Sequence, residues 1–214
     1  MNQNYKTMHV LQERGVVWVT FDHGDINLLD IEMIREIEQL SDELEAEESC
    51  NVVVFQSSNP EFFIAHADVD LIRSLDDVVD KPQELNLYVA ALERIRTLPM
   101  ASIGKIAGIA RGGGSEFLLS LDMRFAAIGS TMLSQPEVAL GIFPTGSGSQ
   151  RLPRLLGRAP VPLLQDARGA RVGQAQRRLS AMTGPQPIFR ERVLDARRGA
   201  SEIVRLFLNE TEET

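Results

Sequence analysis

Residues Ile103 to Arg124 read IGKIAGIARGGGSEFLLSLDMR, and the rest of the chain is organised around them. An apolar β-like run, Ile103 to Ile109, leads to three consecutive glycines, Gly112, Gly113 and Gly114. A helical pattern opens directly after them, with Glu116 in its first turn and Phe117, Leu118 and Leu121 at helical spacing. Glycines at a strand-to-helix junction let another group approach the backbone. The first amides of a helix have no partner inside it, and the helix dipole favours negative charge there. The stretch therefore predicts free N–H groups facing an anion, with a carboxylate beside them. Tight strand–helix packing alone also accounts for the glycines, and Glu116 then merely complements the dipole.

Working outward, Val16–Phe21 (VVWVTF) reads as a strand between Gly15 and the Asp22–Asp25 turn. Asp30 is placed to cap a helix with Ile31, Ile34, Ile37, Leu40 and Leu44 on one face. The acids from Glu43 to Glu48 form its solvated side. Val52–Gln56 is wholly apolar up to its last residue and reads as a buried strand. Phe62–Ile64 is a shorter apolar piece, and Asp68 is placed to cap a segment starting at Val69. A further helix is expected over Leu85–Thr97, ending before Pro99, and a strand over Met123–Ile128. Glu137 falls in a loop ahead of a Gly/Ser-rich turn, where an ordinary surface acid is equally at home. The order is mixed α and β.

The 214 residues suit one domain with a large core. Apolar content of 43% and charged content of 24% fit a globular chain. One cysteine, Cys50, excludes a disulfide framework and points to a reducing, cytoplasmic setting. No apolar run reaches the roughly 18 residues of a membrane span, and the N-terminus lacks a signal peptide's apolar segment. Residues 1–150 carry 10 basic and 23 acidic groups, which argues against nucleic-acid binding. Residues 151–214 carry 12 arginines against 7 acids.

Common site motifs fail. Gly108 to Gly113 begins like a phosphate-binding loop, but the lysine is missing because Gly114 precedes Ser115. The dinucleotide spacing fails too, with Phe117 where its last glycine belongs. No nucleophile elbow is present. His9, His23 and His66 lack metal-ligand spacing, so no metal is expected. Cys50 has no cationic neighbour in sequence and reads as an inert thiol.

Four segments together resemble the crotonase, or enoyl-CoA hydratase/isomerase, superfamily. They are INLLD (Ile26–Asp30), FFIAHADVDLI (Phe62–Ile72), AGIARGGGSEFLLSLDMRFAA (Ala107–Ala127) and LSQPEVALGIFPTGSGSQRLPRLLGR (Leu133–Arg158). Their order and spacing match the family's. The resemblance implies an α/β fold, a spiral of ββα units, that binds acyl-CoA thioesters with no cofactor beyond the substrate's own coenzyme A. It places an oxyanion hole at the backbone amides of Ala67 and Gly113 and two catalytic glutamates at Glu116 and Glu137. Ala65, His66, Asp68, Arg111 and Gly112 fall in the substrate-binding segments. The implied activity is hydration of 2-enoyl-CoA in fatty acid metabolism. An isomerase or acyl-CoA hydrolase using one of the acids, and an inactive CoA-thioester-binding protein, are the alternatives. The family also implies a homo-trimer or hexamer.

Three departures stand out. His66 replaces a usual glycine, and its ring either narrows the acyl-CoA channel or points away. Arg111 replaces a commonly apolar residue, facing either a polar acyl group, a CoA phosphate, or solvent. The third departure divides the chain into a core, residues 1–158, and an atypical segment, 159–214, in place of the family's helical trimerisation region. Residues 151–198 hold 11 arginines, no lysine and three acids, with weak apolar periodicity. That composition matches a GC-rich gene read out of frame. Sequencing the 3′ end of the gene against close relatives is expected to show a frame change near codon 158; an intact frame refutes this origin.

Overall fold

The computed structural model describes residues 4–70, 83–156 and 170–171. Strands β1 (Met8–Glu13) and β2 (Val16–Phe21) form an antiparallel hairpin, with Arg14 and Gly15 at positive φ in its turn. Helix α1 (Ile31–Glu45) comes next, and β3 (Val52–Ser57) pairs parallel with β2. From β3 onward the chain repeats one unit. A strand joins the first sheet, a short strand joins a second sheet, and a helix closes the turn.

Strand β4 (Phe62–Ile64) and helix α2 (Gln83–Thr97) complete the unit begun by β3. Strands β5 (Ala101–Ile106) and β6 (Ile109–Arg111) with helix α3 (Gly113–Ser120) form the next. Strands β7 (Met123–Ala126) and β8 (Met132–Ser134), a 3-10 turn (Pro136–Leu140) and helix α4 (Gly148–Leu156) form the third. The first sheet runs β1-β2-β3-β5-β7, all parallel after the hairpin. The second runs β4-β6-β8, parallel, with β9 (Ala170–Arg171) antiparallel to β8. This is the expected spiral of ββα units. Apart from β9, the atypical segment 159–214 lies outside the described residues, as does residue 158 at the end of the core. No helix among the described residues is long and apolar enough to cross a membrane.

Several boundaries differ from the sequence reading. The run Ile103–Ile109 is not one strand: β5 ends at Ile106 and β6 starts at Ile109, in the other sheet. Gly108 makes the crossing, where a Cβ would lie 2.4 Å from the Glu61 carbonyl. Strand β7 stops at Ala126, short of Ile128, which is 83% exposed. On α1 the buried stripe is Met33, Ile34, Ile37, Leu40 and Leu44; Ile31 is only half-buried in the first turn. The expected cap is present, with Asp30 Oδ1 accepting from the Met33 amide at 2.9 Å. Strand β1 carried no clear sequence signal, because only its first residue, Met8, is fully buried.

The core lies between the first sheet and the helices. Phe117 of α3 is its aromatic centre, edge-on to Phe21 at 5.4 Å and to Phe55 at 5.0 Å. Phe63 meets Phe21 edge-on at 5.5 Å. Buried Asn27, at φ 50°, ties the loop before α1 to the strands. Its amide donates to Ser57 Oγ at 2.8 Å and to the Phe63 carbonyl at 3.0 Å, and its Oδ1 accepts from the His23 amide at 2.7 Å. Because Phe117 anchors α3 from three strands, Phe117→Ala is expected to destabilise the protein by about 3–5 kcal/mol. Urea denaturation measures this; a loss below about 1.5 kcal/mol would show that the ring is not central to the packing.

Candidate functional site

Helix α3 opens directly after β6 of the second sheet. Gly112 caps it with φ 50° and ψ −123°, a conformation open to glycine. Its amide donates to the Ser134 carbonyl at 2.9 Å, and its carbonyl accepts from the Glu116 amide at 2.9 Å. A Cβ on Gly113 would meet Leu29 Cδ2 at 2.6 Å and Ala67 Cβ at 3.5 Å. A Cβ on Gly114 would lie 2.2 Å from the Ile64 carbonyl oxygen. The glycine run is thus required by close packing, and the same packing brings Gly113 beside Ala67.

Ala67 is held by a single parallel bridge to Leu29. The Leu29 amide donates to the His66 carbonyl at 3.0 Å, and the Asp68 amide to the Leu29 carbonyl at 3.0 Å. In this bridge Leu29 uses its own N–H and C=O while the opposite strand uses the two residues flanking Ala67, so the Ala67 amide faces the other way. Gly113, as the first residue of α3, has no intrahelical partner for its N–H. Among the described residues neither amide finds a hydrogen-bond acceptor. Two neighbouring unspent donors, one at a helix N-terminus, suit an oxygen that carries negative charge.

The remaining residues of the two segments divide in use. The buried Ala65 spends its amide on the Ile26 carbonyl at 3.1 Å. Asp68 Oδ1 accepts from the Asp70 amide at 2.9 Å, as a cap does. The His66 ring turns back, its Nδ1–H donating to the Ala67 carbonyl at 2.9 Å, which fixes the peptide after the exposed amide. Arg111 ends β6 half-buried, in register with Ser134.

Both carboxylates are buried, Glu116 at 3% exposure and Glu137 at 8%. Glu116 projects from the first turn of α3 and accepts from the Gly148 amide at 2.8 Å. Burial pushes its pKa up from 4.5 to about 7; amide bonds from Gly148 and Gly146 oppose the rise, and the Glu137 charge adds to it. Glu137 stands in the 3-10 turn, its pKa also raised by burial. Gln135 Nε2 donates to both Glu137 oxygens, at 3.2 and 3.3 Å. Glu137 Oε1 lies 2.9 Å from where a Gly112 Cβ would stand, so the acid reaches back over the glycine run. The structure therefore gathers Ala67, Gly112, Gly113, Glu116 and Glu137 into one place.

Four contributors were not singled out in the sequence. Tyr88 of α2 donates its hydroxyl to the Gly113 carbonyl at 2.8 Å. Gln135 orients Glu137, and Gly146 and Gly148 leave room for Glu116: a Cβ on Gly146 would lie 2.4 Å from Glu116 Oε2. Tyr88 was legible only as one apolar helix position among others. The glycines of 146–148 were visible as a turn, but nothing local linked them to a carboxylate 32 residues earlier. Beside this turn a 540 Å3 cavity is lined by Val89, Glu93, Phe143, Pro144, Ser147 and Arg151, among others, though not by Glu116 or Glu137. Among the described residues no His, Cys, Asp and Glu side chains gather as a metal site.

Comparison with known proteins gives consistent matches. The family model for enoyl-CoA hydratase/isomerase matches residues 12–169. The fatty acid oxidation complex subunit alpha of Aliivibrio fischeri is 34% identical over 152 residues, 69% of this chain and 22% of that one. That of Idiomarina loihiensis is 33% identical over 160 residues, 73% of this chain and 23% of that one. The chain thus spans less than a quarter of these relatives. The crystal structure of an enoyl-CoA hydratase from Bacillus anthracis superposes with TM-score 0.70 at 26% identity, covering 80% of this chain and 67% of that one.

The raised pKa of Glu116 has a consequence for stability. The folded state holds the proton more tightly than the unfolded chain, so stability is fullest below about pH 4.5 and falls until about pH 7. The total loss is about 3 kcal/mol. In Glu116→Gln this loss is absent, so the stability gap between variant and wild type is expected to widen by about 3 kcal/mol between pH 4.5 and 7.5. Urea midpoints across that range measure it, and parallel curves would refute a buried, proton-holding Glu116.

Proposed function

The chain belongs to the enoyl-CoA hydratase/isomerase family, and on that premise we propose that it hydrates 2-enoyl-CoA thioesters with Glu116 and Glu137 as its acid–base pair. The observation that carries this reading is the pairing of two buried carboxylates with two neighbouring residues whose amides find no acceptor among the described residues.

In this mechanism the thioester carbonyl oxygen receives the amides of Ala67 and Gly113. Attack at the β-carbon pushes electron density through the conjugated system onto that oxygen. Donors fixed where charge develops favour the enolate-like transition state, each by roughly 10²–10³ in rate. One glutamate, ionised, orients a water and takes its proton as the oxygen bonds to the β-carbon. The other, protonated, delivers a proton to the α-carbon, so water adds across the double bond. With its pKa raised to about 7, Glu116 is suited to hold and exchange a proton near neutral pH. Glu137, buried beside it and held by Gln135, has its own pKa raised; the two titrate as a pair. The reaction uses only water and the substrate's own coenzyme A.

The test is a short 2-enoyl-CoA, monitored by loss of the conjugated thioester absorbance. Turnover is expected in the wild type, and Glu116→Gln and Glu137→Gln are each expected to lower kcat by roughly 10²–10⁴. Shift of the double bond without water uptake, or release of free coenzyme A, would replace hydration by isomerisation or hydrolysis. Binding without turnover would indicate a thioester-binding protein, and absence of coenzyme A affinity would defeat the whole reading.

A further inference from the structure

We propose that Tyr88 is a positioning residue for the Gly113 amide, a role that rests on the oxyanion-binding reading of that amide. Helix α2 presents Tyr88, Ala91, Leu92 and Ile95 to the core, all buried. Three of these are apolar, and phenylalanine would fill the fourth place without a hydroxyl to satisfy. Tyr88 is 3% exposed, so its hydroxyl requires a partner inside the protein. That partner is the Gly113 carbonyl, at 2.8 Å. The ring is also close, with Tyr88 Cε1 3.8 Å from where a Gly113 Cβ would stand.

The bond matters because of where it acts. Three consecutive glycines are the least constrained backbone in the chain. Each successive peptide group here is held. The Ser134 carbonyl holds the Gly112 N–H, and the Glu116 amide holds the Gly112 carbonyl, whose peptide also carries the Gly113 N–H. The next carbonyl, that of Gly113, accepts from the Tyr88 hydroxyl in addition to its helical bond within α3. Rotation about the Gly113 backbone is therefore limited on both sides of its Cα, and the N–H is aimed before any ligand arrives. Burial and the nearby Glu116 charge raise the phenol's pKa well above its ordinary value, so the hydroxyl stays protonated and keeps donating across the working pH range.

Tyr88→Phe keeps the ring and removes the donor. In the ligand-free protein, nuclear magnetic resonance is expected to show an upfield shift of the Gly113 carbonyl carbon and broadening of the Gly113 amide. With 2-enoyl-CoA, kcat is expected to fall about tenfold while KM stays within about twofold, since a lost aim is felt where charge develops. The infrared band of the bound thioester carbonyl is expected to shift less from its solution frequency than in the wild type. Unchanged Gly113 signals would overturn the proposal, as would a fall in kcat without a change in the carbonyl band. If the wild-type protein itself leaves the thioester carbonyl unshifted, the oxyanion reading falls, while the Gly113 signals still decide whether Tyr88 aims the amide. Should Tyr88→Phe fail to fold, fluorotyrosine labelling gives a stronger donor and is expected to move the Gly113 carbonyl signal downfield; no movement would overturn the proposal.

Discussion

The close approach of α3 to β4 and to Leu29 is the constraint on which the structure depends. At Gly114 a Cβ would lie 2.2 Å from the Ile64 carbonyl oxygen, and at Gly113 one would lie 2.6 Å from Leu29. At Gly114 the obstacle is backbone and no side chain fits, while at Gly113 a side chain would force Leu29 to shift, so the helix reaches this position because its first turn is glycine. Once there, it places Gly113 beside Ala67, its first-turn Glu116 toward the 146–148 turn, and Phe117 among Phe21, Phe55 and Phe63. One packing event thus joins the aromatic core to the site.

The site is costly to hold. A carboxylate at 3% exposure with a pKa near 7 opposes folding by about 3 kcal/mol above neutral pH. That is a large share of the roughly 5–15 kcal/mol by which a domain is stable. The amides of Gly146 and Gly148 limit the loss for Glu116, and Gln135 limits it for Glu137. The same partners orient the acids. Support and aim come from the same bonds, as they do at Gly113, whose carbonyl is held by Tyr88.

Much of this was legible in the chain. The cap at Asp30, the apolar stripe of α1, the strand Val16–Phe21 and the helix after the glycines all arise from local periodicity and capping chemistry. The order and spacing of four segments carried the resemblance to the family. Other features were hidden for definite reasons. Strand β1 faces solvent over most of its length and lacks the apolar alternation of a buried strand. The break between β5 and β6 left no mark because Ala107 and Gly108 are as small as strand residues of a tightly packed sheet often are. Tyr88 looked like any other core position, because its partner lies 25 residues away.

By itself the sequence determined several of the element types, the position of the glycine run, and the presence of two acids in segments of family-like pattern. These depend on neighbours within a few residues, and such interactions can be read along a chain. Only the tertiary structure decided that Gly113 packs beside Ala67, that neither amide finds an acceptor among the described residues, and that Glu116 meets the Gly148 amide. Only the tertiary structure, too, made Tyr88 the partner of Gly113. Each of those relations joins different turns of the spiral, and its distance is set by how closely glycine lets those turns approach.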